Sequence, residues 1–172
     1  GDLQVQTDWT DGESSIEEMA GAAHKQGLEY ICVTDHTKRL AMTGGLDDKK
    51  VLEQGKEIDK LNTKFKVQNV KFKVLKGTEV DINEDGSLDL KDETLAKLDV
   101  VGASVHSHFS LSEKEQTERI ICAMENPNVD IVFHPTGRLI QRRDAYKVDM
   151  EALIAAAKRT KTVLEIDAYP DR

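Results

Sequence analysis

The sequence predicts an α/β fold built on parallel strands, and three observations lead there. Strand-like and helix-like patterns alternate along the whole length. Four apolar runs, YICVTDH, FKVLKGTE, VVGASVH and DIVFH, each finish in a residue able to hold a metal: His36, Glu79, His106 and His134. The length, 172 residues, suits one domain with a core large enough to fold without staples. Parallel β/α sheets and barrels place the carboxyl ends of their strands on one rim, where the site is built, so the four run ends predict a metal centre there.

The elements follow in order. Leu3 to Thr7 reads as a short strand. Ser14-Ser15 then opens a helix, with Ser15 and Glu18 spaced as a capping box, Ile16, Met19, Ala20 and Ala23 at helical spacing, and Gly27 as the stop. Tyr30 to Thr34 is a second strand. A glycine-containing loop through Gly44-Gly45 leads to a helix from about Asp47 to Asn62, with Val51, Leu52, Ile58 and Leu61 inward and Lys49, Lys50, Lys56 and Lys60 as its solvated face. A third strand spans Phe72 to Ile82, followed by a turn at Asp85-Gly86 and a short helical piece near Glu93 to Ala96.

Val100 to Val105 reads as a buried fourth strand. Ser112 and Glu115 cap the next helix, which carries Ile120, Ile121 and Met124 inward and stops at Asn126-Pro127. Asp130 to Phe133 is the fifth strand, Asp149 to Arg159 a helix with Met150, Leu153, Ile154 and Ala157 inward, and Thr162 to Ile166 the sixth strand. The expectation is an incomplete barrel of about six β/α units whose last strand presents an edge to be covered or closed.

Composition narrows the function classes. Hydrophobic residues make up 38% and charged ones 33%, with three prolines, which excludes a disordered or low-complexity chain. No apolar stretch reaches the roughly 18 residues of a membrane span and no signal peptide precedes Gly1, so a cytoplasmic location and no membrane partner are expected. The two cysteines, Cys32 and Cys122, are read as small core residues. With 24 basic and 32 acidic residues the net charge is −8, which argues against a broad electrostatic grip on nucleic acid; any DNA contact must be local.

Imidazole and carboxylate are the ligands of zinc, manganese or iron sites, and a bound metal brings water's pKa from about 16 toward 7, a chemistry suited to phosphate esters. His108 reads as a solvated rim residue and His24 as surface. Arg138, Arg142 and Arg143 follow HPT closely, and guanidinium suits bidentate phosphate contact, with Arg138 the leading candidate. Trp9 could stack on a base, but partial burial is the expectation.

In that order, GDLQVQTDWTDG, VTDH, KGTEVDI, GASVHS, FHPTGR and LEIDAYPDR resemble the polymerase and histidinol phosphatase (PHP) domain. More narrowly, they resemble the PHP domain at the C-terminal end of bacterial and archaeal family X DNA polymerases, over essentially the whole chain. The resemblance implies a distorted seven-stranded β/α barrel holding up to three zinc or manganese ions for phosphoester hydrolysis, with 3′→5′ exonuclease and end-processing activity on DNA. It places His36, Glu79, His106 and His134 on family ligands, Asp11 on the acidic position of the first loop, and His36, Glu79 and Asp11 in the catalytic set. Gln4 and Gln6 fall where the family has His-x-His, and the second glutamine is a departure, since an amide is a poor ligand for zinc or manganese. The family's last Asp-x-His, near a seventh strand, would lie beyond Arg172.

Sorted by family site, the first (Gln4, Gln6, Glu79) is lost, the second keeps Asp11 and His36, and the third, Glu79 with His106 and His134, is intact. The expectation is therefore a single PHP domain over residues 1–172 that binds fewer than three divalent metals and is weakly active or inactive. Its partners would be DNA ends, reached through a parent polymerase, and the other domains of that polymerase. One alternative is a degenerate PHP domain with a structural or interaction role; another is a small-molecule phosphatase of histidinol phosphatase type. Asp167, in place of the asparagine common in this branch, adds a further negative charge near the rim.

Overall fold

The computed structural model describes residues 1–172. Strands β1 (Asp2–Val5), β2 (Tyr30–Val33), β3 (Lys73–Asp81), β4 (Val100–Ser104), β5 (Ile131–Val132) and β6 (Val163–Leu164) alternate with helices α1 (Ile16–Lys25), α2 (Asp48–Val67), α3 (Asp92–Leu95), α4 (Glu113–Met124) and α5 (Met150–Thr160). The sheet order is β1-β2-β3-β4-β5-β6, with β1–β2, β2–β3, β4–β5 and β5–β6 paired in parallel. Chain-order succession is that of a β/α barrel; a doubly wound sheet reverses its order at a switch point. The α/β class and its parallel strands are thus borne out. No helix is long and apolar enough to cross a membrane.

The chain forms two compact units, Gly1–Glu79 with Leu90–Val101, and Val80–Asp89 with Gly102–Arg172. In the first, α1 starts because the Ser15 hydroxyl accepts the Glu18 N–H at 3.3 Å while the Glu18 carboxylate takes the Ser15 N–H at 2.9 Å. That reciprocal pair satisfies two donors the helix end would leave bare, and is worth about 1 kcal/mol. The core gathers Val5, Ile16, Ala20, Ile31, Val33, Ile58, Leu61 and Val74, with Trp9, Met19 and Phe65 packed against it, so Trp9 is partly buried as expected.

Helix α2 runs on to Val67, past the expected end at Asn62. Asn62 is not a terminator here. Its amide donates to the Val74 carbonyl at 2.8 Å and accepts the Val74 N–H at 2.9 Å, tying the helix to β3. The added turn sets Phe65 edge-on to Phe72 at 5.9 Å. Gly77 is required in β3, since a Cβ there would stand 2.5 Å from the Cys32 sulfur and 2.9 Å from two carbonyls.

In the second unit, Ser112 and Glu115 cap α4 by the same reciprocal bonds, and α4 packs against α5. Three sequence expectations need correction here. Cys122 is exposed, because Ile120, Ala123 and Met124 centre the buried stripe of α4 and leave it off the edge. On α5 the stripe is Leu153, Ala156 and Ala157, leaving Met150 and Ile154 exposed. Strands β5 and β6 are shorter than expected, although Phe133 N–H still donates to Ala103 at 3.0 Å and Glu165 N–H to Val132 at 3.0 Å beyond them. Gly102 gives way to the Phe133 ring, 1.9 Å from where a Cβ would sit. Buried Arg119 ties two loops together, donating to the Asn83 carbonyl at 3.1 Å, the Ser107 carbonyl at 3.0 Å and the Ile82 carbonyl.

Candidate metal centre

In the first unit, His36 and Glu79 stand opposite each other in a parallel bridge just beyond β2 and near the end of β3, where Glu79 N–H donates to the Asp35 carbonyl at 3.1 Å. His36 Nδ1 lies 3.6 Å from Glu79 Oε2, and Nε2 lies 3.6 Å from Asp11 Oδ2. Glu79 is buried, whereas Asp11 is largely open to solvent. Two ligands on one tetrahedral ion with bonds of about 2.1 Å stand about 3.4 Å apart. The His36–Glu79 spacing matches that, so this donor set fits a divalent cation. Both imidazole nitrogens thus have a carboxylate oxygen at 3.6 Å.

The glutamines act on Glu79 as donors. Gln6 Nε2 donates to Glu79 Oε2 at 3.0 Å and Gln4 Nε2 to the same oxygen at 3.4 Å, with Gln6 also reaching the Thr34 carbonyl at 3.4 Å. An ionised carboxylate only accepts, so both amides face it through nitrogen. Alternation along β1 brings the two onto one side. Beneath them Asp35, 1% exposed, accepts from Thr7 N–H at 2.7 Å, Thr7 Oγ1 at 2.6 Å, Thr10 Oγ1 at 2.5 Å and Gln54 Nε2 at 2.6 Å. Asp35 thereby fixes the first loop, which carries Asp11, to the exit of β2.

In the second unit the His106 and His134 rings meet edge to face, centroids 5.3 Å apart. Asp81, buried, accepts the His106 N–H at 3.3 Å and stands 3.3 Å from its Nδ1. His134 has a left-handed backbone, φ +33°, an uncommon setting for a residue with a side chain. It is held there by Glu165, which accepts its N–H at 2.7 Å, and by Gly137, whose N–H donates to its carbonyl at 2.8 Å. His108 lies 39% exposed with Nδ1 3.6 Å from Glu84, a rim position. Arg138 is exposed, Arg142 pairs with Asp171 at 3.2 Å, and Asp167 pairs with Arg172 at 3.2 Å.

Residues 2–168 match the PHP domain. The chain belongs to the PHP family. It is 45% identical, over all of its length, to the DNA polymerase/3'-5' exonuclease PolX of Bacillus subtilis, 30% of which it covers. Over 90% of its length it is 37% identical to a probable phosphatase of Thermoanaerobacter sp. and 35% identical to one of Caldanaerobacter subterraneus, covering 58% and 56% of those proteins. It thus spans only part of each relative. Within this PHP domain His36, Glu79 and His106 can each offer a metal one ligand atom, the nitrogen and oxygen donors that zinc and manganese take.

Asp35, Asp81 and Glu165 were not singled out from the sequence. Asp81 carries a signal: it follows Glu79 by two positions on one strand and so shares its face. Asp35 and Glu165 meet their partners across long stretches of chain, which no local spacing reports.

Proposed function

We propose that this chain is the PHP module of a family X DNA polymerase, a metal-dependent phosphoesterase of 3′→5′ exonuclease type that acts on DNA ends with reduced turnover. The observation that carries it is 45% identity across the whole chain to a protein whose name joins polymerase and 3'-5' exonuclease. Glu79, His106 and His134 hold a zinc or manganese ion, with His36 and Asp11 as a weaker position, and fewer than three ions bind. When bound, the metal polarises a phosphoryl oxygen and lowers the pKa of water. His36, Glu79 and Asp11 form the catalytic set, with Asp11 turned to the outer nitrogen of His36, and Arg138 takes a phosphate of the substrate.

Turnover is reduced because Gln4 and Gln6 direct N–H donors at Glu79, the carboxylate a metal needs. The test is hydrolysis of a 5′-labelled oligonucleotide by the full chain with manganese or zinc, beside histidinol phosphate as the small ester. Shortening of the oligonucleotide from its 3′ end supports the reading. Cleavage of the small ester alone refutes it in favour of a small-molecule phosphatase; the relatives at 37% and 35% identity are named probable phosphatases.

The same glutamine contacts favour a second reading, a PHP domain retained for a structural or interaction role. Gln6→His separates the two. A gain of a bound metal and of nuclease activity supports the enzyme reading, and no gain supports the structural one.

A further inference from the structure

Three arginines lie in the stretch from Gly137 to Arg143, and a fourth, Arg172, is tied to it. Leu139 and Arg143 exchange both backbone hydrogen bonds at 2.9 Å, Ile140 N–H donates to the Asp171 carbonyl at 2.7 Å, and Arg172 donates to the Arg138 carbonyl at 3.4 Å. Two of the four cations have an acid partner, Arg142 with Asp171 and Arg172 with Asp167. Arg138 and Arg143 form no ion pair. In a chain of net charge −8, this is a local excess of positive charge.

Arg143 is the better built of the two. Its Nε donates to the Gly137 carbonyl at 2.9 Å, and its guanidinium lies 4.4 Å over the Phe109 ring. Phe109 stacks on Tyr146 at 5.9 Å and 15°. Gly137 adopts φ +61°, and a Cβ there would stand 2.4 Å from the buried Tyr146 ring, so loop, rings and arginine pack as one piece.

A guanidinium carries five N–H donors in a rigid plane. Gly137 uses the one on Nε, and the four at the outer edge make no hydrogen bond within the protein. Burial, and after it the nearby Arg172 charge, hold this guanidinium below its ordinary range. A half-buried cation set beside a second cation is compensated best by an anion, and the outer fork matches a bidentate one. The turn that anchors it also carries His134, through the bond from Gly137 N–H to the His134 carbonyl.

We propose that Arg143, fixed by Phe109 and the Gly137 carbonyl, is a phosphate-binding site with Arg138 at its margin, and that it seats a phosphate of the substrate at the turn of His134. The choice of phosphate among anions rests on the phosphoesterase reading; the binding itself needs no metal.

The test uses the full chain in chelator, with a fluorescein-labelled single-stranded oligo-thymidylate followed by anisotropy and inorganic phosphate as competitor. Arg143→Met and Arg143→Lys are each expected to weaken oligonucleotide binding about tenfold, the second because it keeps the charge and loses the fork. The salt dependence should fall by about one phosphate contact in Arg143→Met. Lys60→Met, on the solvated face of α2, should bind as the parent does. Competition by inorganic phosphate that disappears in Arg143→Lys identifies a terminal or free phosphate as the ligand, and Arg143-dependent binding without competition identifies an internal phosphodiester; both support the site. Unchanged binding in both variants overturns it, as does a parent chain that binds neither probe. Absent hydrolysis with Arg143-dependent binding intact refutes the phosphoesterase reading and leaves this site standing.

Discussion

Glu79 and His106 sit at the ends of successive strands, and the two are supported in opposite ways. Glu79 receives two neutral amide donors on Oε2, so its negative charge is already engaged by Gln4 and Gln6. His106 is backed by a carboxylate, with Asp81 gripping its backbone N–H and lying beside Nδ1. Donors placed on a carboxylate compete with a cation for its lone pairs, whereas a carboxylate beside an imidazole adds negative charge that attracts a cation. The first region engages its carboxylate with amide donors, and the second sets a negative charge behind an imidazole. Ligand identity alone therefore does not report ligand strength; the residues one layer behind decide it.

The comparison breaks most visibly at Glu79. Glu79→Gln keeps an acceptor for the two amides, so the fold should persist while metal uptake falls below detection by elemental analysis after dialysis. Retention of stoichiometric metal would mean that the second region suffices by itself. Asp81→Asn comes next, with metal affinity by calorimetric titration expected to fall about 10- to 100-fold, as for other supporting carboxylates. An unchanged affinity would show that Asp81 serves the backbone alone.

Asp35→Asn separates structure from site within the first unit. It places an amide among donors, and a melt should show a loss of about 1–3 kcal/mol. Metal affinity at His106 should not follow, and a parallel fall would dissolve the contrast between the regions. The smallest effect is expected for the caps. Ser15→Ala and Ser112→Ala each remove one cap and should cost about 1 kcal/mol apiece by denaturant titration. Equal losses in one shared transition would show that the two units unfold together, and two transitions would show that they do not.

What the sequence revealed divides along the same line. The capping boxes at Ser15 and Ser112 were legible because the partners lie three residues apart, and the positions of the strand-end histidines and Glu79 because each terminates an apolar run. Asn62 misled because a residue that usually ends helices is used as a brace on Val74, a partner found only once the sheet forms. Ile154 and Cys122 misled because helical periodicity identifies a stripe but not its margins: each sits one position from a fully buried residue or nearly so. The support of Glu79 by Gln6 and of His134 by Glu165 was not legible, since each joins residues far apart in the chain. The family resemblance supplied candidate ligand positions, yet it could not say that the glutamines would point their nitrogens at a carboxylate.

Gly77 and Gly102 lie just before Glu79 and His106 in the chain, in spaces taken by the Cys32 sulfur and the Phe133 ring. Neither has a side chain to offer a metal or a substrate. A lineage released from catalysis would still be held to glycine at both positions by crowding alone, while Gln4, Gln6 and Arg138 would be free to drift. Among descendants of such a chain, turnover at the glycines would time the loss of the fold and turnover at the rim the loss of the reaction, two clocks running at different rates in one sequence.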